Sequence, residues 1–428
     1  MGEPDPSKEA TVAWLRDQFR RHYASRKPTL PDRFGRREFG FMFWSPGMVQ
    51  RHIGFSREDQ LRGFLQTRVP AHVYYSSAYY EKPDAPTMEE KGWLGADLIF
   101  DLDADHIPGA NKMSYSEMLE AVRLRITQLY DEFLVEDFGF GGDELRLVFS
   151  GGRGYHIHVA DEAVWSLGSH ERREIVDWIT AKGLDLGTVF KEPVFDAREF
   201  KGRLYAKRQV VMADPTKDVG WPRKIVRGLI QLARQLEPMD RESAVGFLAS
   251  FEGVERKEAE GLWENLFANR SKSGPRIRGI DRLIETRKIE TLSDRNVKLI
   301  VAIVSQLQHV RLNEYRGVPL GGITPRGETD EPVTSDIKRL IRMPSSLHGK
   351  TGFQVVPLTR DQLDGFRPLR DAIPATWTDE PVQVRLASGI TSEMKDETFK
   401  LAPGLNDVPQ YLAIFLAASR KASVVQEG

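Results

Sequence analysis

The chain has 428 residues, enough for two or three domains, and its 61 Lys and Arg residues almost cancel its 62 Asp and Glu residues. This charge balance neither supports nor excludes a nucleic-acid partner, because such a contact would depend on local basic patches. The absence of cysteine excludes disulfides, thiolate nucleophiles and thiolate metal sites. Since no apolar run approaches the roughly 18 residues needed to span a bilayer, we expect a cytoplasmic protein without membrane contact.

The N-terminal part predicts a helix followed by a strand hairpin. Residues 8–23 carry apolar side chains near helical spacing with charges between them, which is typical of an amphipathic helix packed on a core. Residues 36–44 alternate like a strand, and a turn leads into a second strand near 48–55. The hairpin places Glu38 and Arg51 on paired strands.

An aromatic segment follows at residues 72–80, which also contains small hydroxyl side chains. This composition is typical of a core strand, but it would also suit a wall on which a nucleotide base stacks. Of these two interpretations, core packing is favoured.

Residues 98–103 predict a buried strand that ends in two carboxylates, Asp101 and Asp103. Residues two apart on a strand point to the same face, so both carboxylates lie on one side of the strand. Paired carboxylates suit Mg²⁺ or Mn²⁺, which prefer oxygen ligands. The same pattern occurs in metal-dependent glycosyltransferases and phosphatases, and it also fits a solvated strand end.

A helix is predicted over 115–133, and after a crossover a second strand at 143–149 leads into a glycine-rich stretch, Ser150 to Val159. The glycines allow backbone N–H groups to approach a ligand, and Arg153 supplies a fork of donors. His156 and His158 fall on one face of the next strand. The pattern indicates an anion site, with His158 favoured as a core residue.

The middle of the chain predicts mostly helices. A helical pattern covers 165–182, a basic loop-and-strand connection covers 195–208, and 222–309 is interpreted as a helical insertion. Within the insertion one apolar stripe consists of Ile225, Leu229, Leu232 and Leu236. A basic run consists of Arg270, Lys272, Arg276, Arg278, Arg282, Arg287 and Lys288. A solvated face is favoured for this run over a patch that contacts a template.

The last part predicts strand-like order near 330–334, followed by cations, hydroxyls and glycines over 338–352. Because Leu340, Ile341 and Leu347 are interspersed among them, phosphate contact is favoured over a plain surface loop. A tail helix is predicted near 408–416.

Three separated motifs are carried in this order: Phe-Asp-Leu-Asp at 100–103, Ser-Gly-Gly-Arg-Gly-Tyr-His at 150–156, and Asp330 followed by Arg-Met-Pro-Ser-Ser-Leu-His-Gly-Lys-Thr-Gly at 342–352. Together they closely resemble the catalytic small subunit of archaeal and eukaryotic DNA primase. The resemblance extends to residues 37–41 and 72–80, so it covers most of the chain from about 36 to 358.

The resemblance implies specific roles for ten residues. Asp101, Asp103 and Asp330 match the family's metal-binding carboxylates, which hold Mg²⁺ or Mn²⁺ and are catalytic. Ser150, Arg153 and His156 match the motif that binds the phosphates of the incoming nucleotide. Arg342 and His348 match phosphate-binding positions that come later in the sequence. Glu38 and Arg51 match positions near the initiating nucleotide.

The resemblance also implies an α/β (α+β) catalytic core around a mixed β-sheet with a helical insertion. On this basis residues 1–221 are the N-terminal part of the core, 222–309 the insertion, and 310–428 the C-terminal part with the third carboxylate and the tail helix. Relatives usually carry a zinc site built largely from cysteines, which this chain lacks, so we expect no zinc. Some relatives have Arg where this chain has Gly152, which removes one phosphate contact.

The function implied is de novo synthesis of short RNA primers on single-stranded DNA, with deoxynucleotide use left open, at replication forks. The expected partner is a large primase subunit. A repair or translesion polymerase of the same superfamily remains an alternative. A metal-dependent glycosyltransferase would explain Asp101 and Asp103 but not the Arg and His residues at 342–350.

Overall fold

A computed structural model describes residues 6–45, 47–106, 112–185, 190–191, 193–208, 211–214, 216–267, 278–286, 295–296, 299–300, 302–303, 314–315, 318–319 and 327–425. The chain divides into two compact units. The first unit joins Met1–Val176 to Glu328–Gly428, and the second unit is Asp177–Gly327.

The secondary structure mixes helices with antiparallel strands. The helices are, in chain order, α1 (Pro6–Ser25), α2 (Glu58–Arg68), α3 (Tyr115–Gln128), α4 (Ser169–Ile179), α5 (Gly220–Leu236), α6 (Arg241–Leu248), α7 (Arg256–Phe267), α8 (Gly279–Thr286), α9 (Glu331–Ser335), α10 (Arg360–Gly365), α11 (Pro368–Asp371) and α12 (Gln410–Ala418). The strands are β1 (Phe39–Met42), β2 (Gln50–Ile53), β3 (His72–Ser76), β4 (Ala78–Tyr80), β5 (Trp93–Ala96), β6 (Leu98–Asp103), β7 (Leu145–Phe149), β8 (Gly154–Val159), β9 (Phe190–Lys191), β10 (Val194–Phe200), β11 (Arg203–Arg208), β12 (Val211–Met212), β13 (Glu314–Tyr315), β14 (Val318–Pro319), β15 (Leu340–Arg342), β16 (Val356–Leu358), β17 (Pro381–Leu386), β18 (Ile390–Met394), β19 (Glu397–Leu401), β20 (Gly404–Pro409) and β21 (Ala422–Val424).

Two four-stranded sheets in the first unit carry five of the ten predicted site residues, Arg51 and Arg342 on one sheet and Asp101, Asp103 and His156 on the other. One sheet has the strand order β15-β3-β1-β2 and the other has the order β16-β7-β8-β6. The second sheet forms because β6 and β8 are rich in apolar residues, and Leu98, Phe100 and Leu102 are buried on the face opposite Asp101. Helix α3 packs on β6 and β8, so this sheet is held from one side by a helix.

The α+β class is confirmed, but the strand pairing differs from the predicted mixed sheet. In the part of the chain that the structure describes, the strands pair antiparallel. After α3 the chain returns as β7, which runs parallel to β6 but does not touch it. Strand β8 lies between them and is antiparallel to both.

Several predicted elements are found close to their expected bounds. The N-terminal helix is α1, the hairpin is β1 with β2, and the tail helix is α12. The helix expected over 115–133 is α-helical to Gln128 and continues as a π-helix over Leu129–Val135. The aromatic segment forms β3 and β4, whose side chains are mostly buried, so its role in core packing is confirmed.

The strand-like order predicted near 330–334 is wrong, because this segment forms helix α9. Asp330 is its N-cap, and the carbonyl oxygen of Asp330 accepts hydrogen bonds from the amides of Val333 and Thr334, both at 3.1 Å. Pro332 lies in the first turn. An N-cap aspartate with a proline just inside is a helix-start signal that outweighs the β-branched residues after it.

The second unit contains helices α5 to α8 and the antiparallel hairpin β10–β11. The predicted stripe of Ile225, Leu229, Leu232 and Leu236 is buried, as an amphipathic helix requires. The predicted insertion, 222–309, lies inside this unit, which begins earlier, at Asp177, and ends later, at Gly327. The assignment of 1–221 and 310–428 to a catalytic core stays a prediction.

The basic run lies largely outside the described residues, which include neither Arg270, Lys272, Arg276, Arg287 and Lys288 nor the side chain of Arg282. Arg278 is described, and its guanidinium pairs with Asp281 at 2.8 Å and with Glu237 at 2.5 Å.

Candidate functional site

The three predicted carboxylates come from two elements that meet at the end of β6. Asp101 and Asp103 point to the same face of β6, and both are partly buried. The backbone amide of Asp330, at the start of α9, donates a hydrogen bond of 2.9 Å to the carbonyl oxygen of Asp101. The structure therefore brings together residues that are more than 200 positions apart in the sequence.

The electrostatics around Asp101 are those of a crowded carboxylate. Burial and the negative charges of Asp103 and Asp330 together raise the pKa of Asp101 to about 7. The positive charges of Arg339 and Arg342 oppose this shift. A carboxylate with so high a pKa resists ionisation until a positive charge arrives beside it.

These residues fit Mg²⁺ or Mn²⁺ in donor chemistry, since all three offer carboxylate oxygens to a hard cation. The repulsion that raises the pKa of Asp101 would be relieved by such a cation. Among the described residues, no group of three or more His, Asp or Glu side chains is already close enough to hold a metal ion. The three side chains are thus neighbours rather than a closed ligand set.

Strand β8 places two histidines on the same face as the carboxylates. His156 lies directly across from Asp101, and His158 lies across from Ile99. His156 is fully buried, both of its ring nitrogens are without a hydrogen-bond partner in the described structure, and burial holds its pKa well below the ordinary value. It is therefore a neutral imidazole beside the carboxylates.

His158 has the environment of a core residue, as the sequence favoured. Its ring stacks on Tyr75 with centroids 5.8 Å apart, and its Nδ1 lies 3.8 Å from Oδ2 of Asp97. Burial lowers its pKa, and the nearby negative charge of Asp97 opposes that shift.

The glycine-rich turn between β7 and β8 holds Ser150 and Arg153. The Ser150 Oγ accepts a hydrogen bond of 3.3 Å from the amide of Gly152. The Arg153 guanidinium pairs with Asp105 and lies 3.5 Å from Oδ1 of Asp103. Arg153 thus lies beside the carboxylates, and its side chain is 38% exposed.

The later phosphate-binding candidates approach the same turn from the other sheet. The Nη1 of Arg342, on β15, lies 2.8 Å from Nδ1 of His72. His348 packs against the turn so closely that a Cβ on Gly151, which has a φ of +76°, would lie 2.8 Å from the His348 Cβ. The Thr351 hydroxyl joins the two motifs, since it donates a 2.5 Å hydrogen bond to the carbonyl of Gly151 and lies 3.1 Å from His348 Nδ1. Only a glycine at position 151 allows His348 to lie this close to the turn.

Glu38, the residue just before β1, and Arg51 on the paired strand β2 form a separate ion pair across the predicted hairpin. Arg51 Nε lies 3.1 Å from Oε1 of Glu38, and the Arg51 guanidinium also donates to the carbonyl of Lys338, at 3.2 Å. Glu38 is completely buried and also faces the buried Lys91, whose Nζ lies 3.9 Å from Oε2. Through Lys338 this pair is tied to the segment that leads into β15.

Comparison with known proteins identifies the family of this arrangement. Residues 100–360 match the sequence profile described as DNA primase small subunit. A DNA primase small subunit PriS from Methanocella arvoryzae is 38% identical over 95% of this chain and 97% of its own length. Similar proteins of the same name come from Methanosphaerula palustris, 38% identical over 98% of this chain and 99% of the relative, and from Halobacterium salinarum, 35% identical over 98% and 100%.

The chain belongs to the DNA primase small subunit family. The resemblance drawn from the three motifs is therefore confirmed. The profile match includes all three carboxylates and the phosphate-binding candidates, whereas Glu38 and Arg51 lie before its first residue. The described helices include none that is long and apolar enough to cross a membrane.

Sequence reasoning missed the buried ion pair of Arg37 and Asp97, which lies at the start of β6, the strand that carries Asp101 and Asp103. Arg37 Nη2 lies 2.7 Å from Oδ2 of Asp97, and Arg37 Nη1 donates to the carbonyls of Ser76 and Ser77, both at 2.8 Å. Asp97 immediately precedes β6, so the pair fixes the start of the strand that carries Asp101. A polar residue next to an apolar run was the one signal for it.

His72 and Lys91 were also missed as parts of polar clusters. Both lie within segments read as strand or loop, and their partners Arg342 and Glu38 are distant in sequence.

Proposed function

We propose that this chain is the catalytic subunit of a DNA primase that makes short RNA primers de novo on single-stranded DNA by nucleotidyl transfer. The observation that carries the proposal is the hydrogen bond between Asp330 and Asp101. This backbone hydrogen bond joins the start of α9 to β6, and it supports a proposal in which the three carboxylates work beside Arg153, which lies 3.5 Å from Asp103, and Arg342. Carboxylates for a divalent cation next to cations for phosphates are what nucleotidyl transfer needs.

The residues have separable roles in this proposal. Asp101, Asp103 and Asp330 would hold Mg²⁺ or Mn²⁺, which supplies activation of the attacking hydroxyl and neutralisation of phosphate charge. Arg153 and Arg342 would bind the triphosphate through charge-assisted hydrogen bonds. His348 and Ser150 shape the turn that receives it.

His156 and the pair of Glu38 and Arg51 have more limited roles. His156 is neutral, and both of its ring nitrogens lack a hydrogen-bond partner in the described structure, so it would offer the phosphates a hydrogen bond rather than charge. Glu38 with Arg51 is assigned to the initiating nucleotide on the family resemblance.

The proposed partners follow from the relatives' name, DNA primase small subunit. We propose a large primase subunit as the protein partner, a single-stranded DNA template, and ribonucleotides as substrates, with deoxynucleotides to be tested beside them. The proposal includes no zinc site and places the protein in the cytoplasm at replication forks.

The test is primer synthesis on unprimed single-stranded DNA with labelled nucleotides and Mg²⁺ or Mn²⁺, with and without the large subunit. Wild type is compared with Asp101→Asn and with Asp361→Asn, which alters an exposed aspartate in the first turn of α10. We expect product from wild type and Asp361→Asn, and a loss of at least 100-fold in Asp101→Asn. Extension of a supplied primer without initiation, even with the large subunit present, would favour a repair or translesion polymerase instead.

A further inference from the structure

His72 is a buried histidine that belongs to none of the three motifs, yet it touches two elements that carry phosphate-binding candidates. It begins β3 and is 6% exposed. Its Nδ1 lies 2.8 Å from Nη1 of Arg342 and 3.2 Å from the backbone amide of Gly349. Its ring also meets the ring of His348 edge to face, with centroids 5.0 Å apart.

The two contacts at Nδ1 define the state of the His72 ring. A guanidinium N–H and an amide N–H are both donors, so Nδ1 must be an unprotonated acceptor and the ring proton must lie on Nε2. Burial, together with the positive charges of Arg342 and Lys350, lowers the pKa of His72 to about 3. The ring is therefore neutral across the physiological range, and it can accept at all pH values where a polymerase works.

The arrangement leaves little freedom to the groups around it. A Cβ on Gly349 would lie 2.8 Å from the carbonyl oxygen of Ala71 and 3.0 Å from Nε2 of His72, so the loop is pressed against the start of β3. The Arg342 guanidinium is held on its other side by Tyr74, with Cζ 5.1 Å from the ring centroid. With these contacts in place, the negative charges of Asp101 and Asp103 also act on the Arg342 guanidinium.

We propose that His72 is a positioning residue for the incoming triphosphate: one acceptor nitrogen fixes the Arg342 guanidinium and the Gly349 amide together, and so aligns Arg342 with His348. This inference rests on the proposed function. His72 would not touch the nucleotide itself. Its effect would appear in nucleotide affinity, because an arginine already held in place loses less conformational freedom when it binds phosphate.

The test compares His72→Leu, which keeps volume but removes the acceptor, with His72→Asn, whose amide oxygen can accept in place of Nδ1. Primer extension gives KM and kcat for the nucleotide, and titration with GTP gives its Kd. We expect His72→Leu to raise both KM and Kd about tenfold while kcat falls less than threefold, since one charge-assisted and one neutral hydrogen bond are lost. His72→Asn should recover most of the affinity.

Two controls separate positioning from stability. Val73→Ala destabilises the same strand without removing a side-chain hydrogen bond, and it should leave KM within twofold of wild type. In an Arg342→Ala background, His72→Leu should change KM by less than twofold, because His72 acts through Arg342. Thermal unfolding of each variant checks that it folds, and if His72→Leu does not fold, His72→Met, which also lacks a strong acceptor, replaces it.

The outcomes distinguish this inference from the proposed function. Equal affinity losses in His72→Leu and His72→Asn, or an unchanged KM in His72→Leu, would overturn the role of His72 while leaving an active wild type as a primase. The same losses in the presence and absence of Arg342 would also overturn it. A wild type that neither binds GTP nor extends a primer would overturn both.

Discussion

The buried ion pair between Arg37 and Asp97 leads to a sharp prediction about stability. The two side chains are 2% and 3% exposed, so neither charge can be solvated if its partner is removed. We expect Asp97→Asn to leave the Arg37 guanidinium with its hydrogen bonds to Ser76, Ser77 and Tyr79 but without a counter-charge. Loss of one partner from a buried pair costs about 3–5 kcal/mol, because the remaining charge is uncompensated.

The pH dependence gives an independent measure of the same pair. Burial alone would raise the pKa of Asp97. The charge of Arg37 and the contacts with His158 and Tyr79 together outweigh burial, and the pKa falls to about 2. Because the folded pKa is below the ordinary value of 3.8, the ionised carboxylate contributes stability above pH 4. This contribution, roughly 2 kcal/mol, is lost as the pH falls from about 4 towards 2.

The assay is urea unfolding at pH 7 and at steps down to pH 3, followed by tryptophan fluorescence for wild type, Asp97→Asn and the double variant Arg37→Met with Asp97→Leu. We expect Asp97→Asn to lose the acid-dependent part of the stability and to lie about 3 kcal/mol below wild type at pH 7. The double variant should lose less than the single one, since it leaves no buried charge. A single variant within about 1 kcal/mol of wild type would refute this reasoning.

Three further predictions follow from the site. Gly151→Ala should lower the Tm more than Gly139→Ala, because both glycines have a φ of +76° but only Gly151 faces His348; equal losses would contradict this contact. Glu38→Gln, which leaves a buried lysine amine without its carboxylate, should cost about 3 kcal/mol in urea unfolding, and a cost below about 1 kcal/mol would argue against the buried pair. Asp101→Asn should raise the free energy of unfolding of the metal-free protein at pH 8 by roughly 1–3 kcal/mol, and with it the Tm, but leave both unchanged near pH 4. The reason is that the folded pKa of Asp101 is about 7, so its ionisation in the folded state costs stability only as the pH rises; a lower Tm at pH 8 would be inconsistent with a repelled carboxylate.

The elements with strong local signals were predictable from the sequence. The amphipathic stripe of α5 and the apolar strand β6 follow from the periodicity of their own residues, which packing preserves. The helix at 330–334 was not predictable in this way, because two β-branched residues suggested a strand while Asp330 and Pro332 started a helix. In a segment of only five residues, helix capping outweighs the strand propensity of individual residues.

The residues of the candidate site also divide into those that the sequence could indicate and those that it could not. Asp101, Asp103 and Arg153 could be selected because they belong to compact motifs in which spacing alone sets a shared face or turn. His72 and Asp97 could not be selected, since each acts through a partner that only the tertiary fold brings near, such as Arg342, 270 positions away from His72. Antiparallel register across β8, rather than sequence spacing, places His156 beside Asp101.

The charges at this sheet edge are already paired with one another, and this pairing says how substrate binding would proceed. Arg153 is shared between Asp103 and Asp105, while Arg342 is held by His72 and feels the field of Asp101. A triphosphate that takes these two arginines would release negative charge among the aspartates, whose mutual repulsion already raises the pKa of Asp101. In the proposed function, a divalent cation would compensate that released charge, so each ligand would strengthen the binding of the other by the same factor. The carboxylates and arginines of this chain would then act as one electrostatic unit.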